Sequence, residues 1–287
     1  MEIHQIPVLR NPVMILAFSG WNDAGEAATG ALDHLIAAWR NDSSEILPQL
    51  IADIDPEDFY DFQVNRPQIF TDETDSRKIT WPTTEVYALV LPHLDHDLII
   101  VKGVEPSMRW KTFTRELLDL ADDCEVSMIV TMGSLLADIP HSRPIAVNIT
   151  AANPKMAARL NVEISAYEGP TGILGVLHDG CLRRGIEAVS LWAPVPHYAS
   201  NAPSPKASLA LIHALEDFLT LSVPQDELAL ASDAWEVEID NLAKNDSDVA
   251  DYIKNLEESK DAADIPEISG EMIAKEFERY LRRRTQN

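Results

Sequence analysis

Val13-Met-Ile-Leu-Ala-Phe-Ser-Gly20 decides how the rest of the chain is read. Its apolar run is bounded by a Ser-Gly turn signal, the pattern of a buried strand. The run is also far shorter than the roughly 20 residues a membrane span needs. Downstream, Ala28, Leu32, Leu35 and Trp39 recur at helical spacing and share one face, and Asn41-Asp42 closes that helix. The alternation repeats. Leu50 to Ile54, Val86 to Leu91, Leu98 to Val101, Val126 to Thr131 and Ala188 to Ala193 read as strands. Ile145, Val147 and Ile149 alternate as a half-buried strand does, and Val162 to Tyr167 is strand-like. Helices fall between them. One is marked by Trp110, Phe113, Leu117 and Leu120, one is opened by Asn153-Pro154, and one runs from Ile173 to Arg184 with Gly185 as its stop. Another starts at Ser204-Pro205 and carries Leu211, Leu215, Phe218 and Leu219. Strands separated by helices imply parallel pairing, because a parallel neighbour requires a long crossover. The expected fold class is α/β, a central and largely parallel sheet flanked by helices, over residues 1–223.

After Pro224 the strand pattern stops. Trp235, Ile239 and Leu242, then Val249, Tyr252, Ile253 and Leu256, form apolar stripes in an acidic background. Ser259 to Ser269 reads as a polar break containing Pro266. A last helix carries Ile273, Phe277, Tyr280 and Leu281, with Arg282-Arg283-Arg284 at its end, where cations suit the helix dipole. Residues 224–287 are therefore expected to form an acidic helical extension.

Composition narrows the function classes. The chain has 287 residues, 46% hydrophobic and 24% charged, which fits a folded protein and excludes disordered, collagen-like and disulfide-stapled classes. A chain of this length hides roughly 75% of the surface it exposes when unfolded. The formal net charge is −24, so neither nucleic acid nor an anionic membrane is an expected partner. Cys124 and Cys181 stand apart from any metal or redox spacing and read as buried thiols. With no leader or long apolar stretch, a cytoplasmic location is expected.

Phosphate-loop, dinucleotide, nucleophile-elbow and HExxH signatures are absent from the sequence. His93-Leu-Asp-His96, flanked by Asp97, has ligand-type residues but falls in a turn between strands, so no metal or cofactor is expected. Candidate ligand residues gather instead where strands should end, the usual place for a site in an open parallel sheet. One group is Trp21, Asn22 and Asp23 in Ser19–Gly25, with Asp23 either capping the next helix or facing a ligand, and Trp21 either a lid or ordinary packing. Others are Glu105 and Arg109 in Gly103–Arg109, Ser134 in Met132–Leu135, and His197 in Ala193–Tyr198. Leu136–Pro144 adds Asp138, His141 and Arg143. Glu168, Gly169, Thr171 and Gly172 lie in a glycine-rich turn opening a helix, whose free N–H groups suit a phosphate or carboxylate. His141 or His197 has the chemistry of a general base, though a single histidine equally serves as a hydrogen-bonded structural group.

Five phrases occur together in order. They are Gly20-Trp-Asn-Asp-Ala-Gly25, Gly103-Val-Glu-Pro106 with Arg109-Trp110, Leu135-Leu-Ala-Asp-Ile-Pro-His-Ser-Arg-Pro144, Tyr167-Glu-Gly-Pro-Thr-Gly172, and Ser190-Leu-Trp-Ala-Pro-Val-Pro-His-Tyr198 with Pro203-Ser-Pro-Lys-Ala207. Over about residues 5 to 220 the chain closely resembles the proteasome assembly chaperone 2 family, in its bacterial and archaeal branch. The resemblance implies an α/β domain similar to nucleoside phosphorylases and related hydrolases, self-association into homo-oligomers with trimers expected, and proteasome α-subunits as a partner class. Eukaryotic relatives dock through a C-terminal hydrophobic-Tyr-any tail. Here Gln286 stands where that Tyr would be, and Tyr280 lies earlier, so docking by that route is not implied.

Two functions follow as expectations. The first is a non-catalytic, homo-oligomeric assembly or interaction protein. The second is a small-ligand binder or enzyme, of nucleoside, phosphate or hydrolytic type, with a cleft at the strand ends. Fold alone does not choose between them.

Overall fold

A computed structural model describes residues 1–41, 46–72, 75–151, 153–244 and 246–264. In chain order its elements are β1 (Glu2–Ile3), β2 (Val13–Ser19), α1 (Ala27–Asn41), β3 (Gln49–Ile54), β4 (Gln68–Thr71), β5 (Arg77–Thr80), β6 (Thr84–Leu89), β7 (Leu98–Val104) and α2 (Trp110–Asp123). There follow β8 (Met128–Ala137), β9 (Asn148–Ala151), α3 (Pro154–Leu160), β10 (Glu163–Ile164), α4 (Ile173–Arg184), β11 (Ala188–Pro196), α5 (Pro205–Leu219), α6 (Asp226–Lys244) and α7 (Ser247–Asp264). The α/β class and the C-terminal helical extension both stand.

Among the described residues, nine strands form one sheet in the order β1-β3-β6-β7-β2-β8-β11-β9-β10, and β4 pairs only with β5. β2 runs parallel to β7 and β8, as expected from the helices between these strands. The β1, β3, β6 and β7 side is antiparallel. There the sequence passes from β3 to β6 through the β4–β5 hairpin and from β6 to β7 through a turn, so no helical crossover exists to make the strands parallel. β2 sits mid-sheet, which is why Met14, Ile15, Ala17 and Phe18 are fully buried although consecutive residues face opposite sides.

Several boundaries differ from expectation. β8 continues through Met132-Gly-Ser-Leu135 to Ala137, and β11 continues to Pro196, so segments expected as strand-end loops are largely strand. Of Val162 to Tyr167 only Glu163–Ile164 is strand. The half-buried strand expected around Ile145 to Ile149 lies at Asn148–Ala151. α7 continues through the expected polar break as far as Asp264, because Ser259-Lys-Asp-Ala-Ala-Asp264 contains no glycine or proline to stop a helix. Asp42, Pro266 and the helix expected around Ile273 to Leu281 lie outside the described residues.

The chain divides into two compact units. One comprises Met1–Asn22, Glu45–Met132 and Ile149–Ser190; the other comprises Asp23–Ser44, Gly133–Asn148 and Leu191–Asn287. In the first, Phe113 on α2 meets Phe18 and Phe59 edge to face, with ring centroids 5.6 and 5.3 Å apart. In the second, α5 packs against α1 and α6, and α6 against α7.

The turn before β7 is organised by a buried carboxylate. Asp97 accepts the Arg10 N–H at 2.6 Å, the Arg10 Nη2 at 3.0 Å and the Leu91 N–H at 2.8 Å. Burial alone would raise its pKa; the Arg10 guanidinium and the backbone donors outweigh that and hold it below the ordinary value. A depressed carboxyl stabilises the fold above its unfolded pKa, and that contribution is lost as pH falls through about 4 and below. Asp97→Asn is therefore expected to cost about 1–3 kcal/mol in a urea melt at pH 7. The wild-type advantage should shrink steadily as the melt is repeated toward pH 3.

Candidate functional site

The candidate residues fall into two groups, one in each unit. In the first unit Glu105 is the hub. It follows β7, its N–H donates to the Ser19 carbonyl at 2.8 Å, and its Oε1 accepts the Asn22 amide at 2.7 Å and the Ile173 N–H at 2.8 Å. Ile173 opens α4, and Gly172 before it has no side chain with which to cap the helix. The position where a ligand's negative charge was expected thus holds the protein's own carboxylate. Gly172 is needed for that approach. A Cβ there would lie 2.2 Å from Asn22 Nδ2 and 2.6 Å from Glu105 Oε1.

Other members of this group do not converge on the hub. Trp21, read from the sequence as either a lid or ordinary packing, is 63% exposed and stands on the turn with its ring in solvent. Arg109 pairs with Asp58 and lies over the Phe59 ring, 5.5 Å from its centroid. Glu168, Gly169 and Thr171 are exposed, in a turn tied by the Tyr167 hydroxyl donating to the Pro170 carbonyl at 2.7 Å.

In the second unit Asp23 resolves toward capping. Its Oδ1 accepts the Ala28 N–H at 2.7 Å and the Ser134 hydroxyl at 3.2 Å, while Oδ2 accepts the Thr29 hydroxyl. Ser134 donates as well to the Ala24 carbonyl at 2.9 Å. Burial pushes the Asp23 pKa up and these donors only partly offset it. On the same strand, a Cβ at Gly133 would sit 2.6 Å from the Trp192 ring, so that glycine is dictated by packing.

The phrase Asp138-Ile-Pro-His-Ser-Arg143 does something the local sequence did not announce: it grips the helices of the extension. His141 is 1% exposed. Its backbone N–H donates to the Tyr198 hydroxyl at 2.6 Å, so the hydroxyl proton is free for Nδ1 at 2.9 Å, and Nε2–H is left to donate to Asp240 on α6 at 3.1 Å. Trp235 of α6 packs edge-on against the same imidazole, centroids 6.3 Å apart. Both ring nitrogens are engaged, which removes His141 as a free general base. Arg143 makes a forked pair with Asp261 of α7, both bonds at 2.8 Å, and reaches Glu257 at 3.5 Å. Asp261 is accordingly held below the usual carboxylate range by Arg143. Ser142 donates to Glu257, and Tyr252 donates to Asp138 at 2.8 Å. His197 Nε2 lies 3.8 Å from Asp138. Lys206 of α5 bridges the His141 carbonyl and Glu236 of α6.

Sequence reasoning named one side of this clasp and missed the other. Tyr198 and Lys206 fall inside the phrases that carry the resemblance but were given no role, while Glu236, Asp240, Glu257 and Asp261 sit far along the chain with no motif to mark them. The one usable signal was the Trp235/Ile239 stripe, whose buried face places Glu236 and Asp240 at its border.

These features define an α/β protein with an acidic helical extension clasped to the end of a central strand. It belongs to the PAC2 family, whose sequence profile matches residues 17–243. A PAC2 family protein from Streptomyces avermitilis is 47% identical, with 84% of this chain and 99% of that one covered at a TM-score of 0.76. A proteasome-assembly chaperone homologue from Mycobacterium tuberculosis is 43% identical, covering 84% and 99%, at 0.73. An archaeal proteasome activator from Pyrococcus furiosus shares the fold at 18% identity, covering 84% and 96%, at 0.66. Comparison with curated proteins gives no match.

Two substitutions test these assignments. Glu105→Ala leaves the Ile173 N–H and Asn22 amide without their acceptor and should destabilise the fold by about 1–3 kcal/mol in denaturant. Tyr198→Phe removes the partner of the His141 N–H and Nδ1, and a loss of about 1–3 kcal/mol is expected, with a change in Trp235 fluorescence. Unchanged melts for both would contradict the hydrogen-bond assignments.

Proposed function

We propose that this protein is a non-catalytic, homo-oligomeric assembly-chaperone-like protein that acts on proteasome α-subunits in the cytoplasm. One observation carries the proposal. The acid, base and cation of the Asp138–Arg143 phrase are occupied in holding the chain's own α6 and α7. A hydrolase or phosphorylase would need such groups facing a substrate. Kinship agrees, since a relative 43% identical is described as a proteasome-assembly chaperone homologue. Among the described residues no helix is long and apolar enough to cross a membrane. We take residues 224–287 as a separate acidic extension; position 223/224 lies in the connection between α5 and α6, where Glu216 accepts the Val223 N–H and the Gln225 amide, both at 2.8 Å.

The test is retention of proteasome α-subunits from the same organism by the full-length immobilised protein. Retention that survives washing at moderate salt is the expected result. No retention, together with a thermal shift of several degrees produced by nucleosides, phosphate or nucleotides, would contradict the proposal and favour a small-ligand binder.

A further inference from the structure

The β4–β5 hairpin is the part of the first unit that the fold leaves unexplained. Every residue of both strands is exposed. Ile69 and Ile79 are directly opposed across the ladder, and they are 58% and 53% exposed. Trp81, two residues beyond Ile79, is 44% exposed with its ring edge against Phe62, 4.9 Å between centroids. A two-stranded ribbon with an uncovered apolar face is marginal in water on its own, and contiguous exposed apolar surface usually marks a contact. Its edges carry the same message. β5 has Arg77 and Lys78 to discourage strand pairing, but Gln68-Ile-Phe-Thr71 of β4 has no charge and no proline.

Charge identifies the occupant. The whole chain carries −24, so two copies repel across most of their surfaces. Between residues 63 and 81 the three basic residues, Arg66, Arg77 and Lys78, balance the three acidic ones, Asp72, Glu73 and Asp75. An apolar stretch without net charge is where equally acidic copies meet at least electrostatic cost. A basic partner would be drawn elsewhere, to the acidic helices.

We infer that the β4–β5 hairpin, through Ile69, Ile79 and the β4 edge, is the surface on which a second copy of this chain docks. The inference rests on the homo-oligomeric part of the proposed function and assigns that association to a surface. Light scattering after gel filtration of the full chain tests it, with Ile69→Lys/Ile79→Lys as the variant and Leu230→Lys, at an exposed apolar position on α6, as the control. Wild type and control should run above the 31.9 kDa of one chain, and the hairpin variant should fall to it with its far-UV spectrum unchanged. A hairpin variant that keeps the wild-type mass overturns this inference and leaves self-association standing. A wild type that is monomeric at 100 times the concentration used for binding assays overturns both. Proteasome α-subunit retention is scored separately and decides the chaperone proposal on its own.

Discussion

Like-charge repulsion is the constraint to which this structure answers. With 47 acidic residues against 23 basic ones, an extension rich in Asp and Glu has to be fixed to a body of the same sign. Few cations are available for that, and their placement is economical. Arg143 takes two carboxylates of α7, Lys206 takes one of α6 together with a backbone carbonyl, and the imidazole of His141 presents its N–H to Asp240. The apolar contribution comes from Trp235 and Ile239, which bury against Tyr198 and Ala199. Packing supplies the attraction and the cations make it tolerable.

The same residues are those whose chemistry suggests a catalytic site. Asp, His and Arg in one proline-flanked phrase fit acid–base chemistry when read alone. Their partners give them another occupation, and a ring with both nitrogens bonded and 1% exposure has no lone pair to offer a substrate. Glu105 shows the point again in the first unit. A glycine-rich helix start attracts an anion, and here the anion is a side chain delivered from the end of β7.

Much of the fold was legible because its cues are local. Val13 to Phe18 as a fully buried strand, Asn153 as a cap whose side-chain oxygen accepts the Met156 N–H at 2.9 Å, and Gly185 as a left-handed helix stop all depend on residues within a turn of each other. The antiparallel side was less legible, since a run such as Val86 to Leu91 does not state its direction. Met132 to Leu135 was misjudged because Gly133 and Ser134 look like turn residues, whereas one makes room for Trp192 and the other hydrogen-bonds Asp23. The clasp was least legible of all. It joins residues about a hundred positions apart, and no periodicity or spacing encodes such a pairing.

The central claim is that Arg143 works as a fastener for α7. A double-mutant cycle on Arg143→Ala and Asp261→Ala, read by amide hydrogen exchange across α7, measures this directly. If the two side chains act as one fastener, each single substitution accelerates exchange in α7 and the double variant exchanges no faster than either. Effects that simply multiply, or an α7 whose exchange ignores Arg143 altogether, would contradict the account.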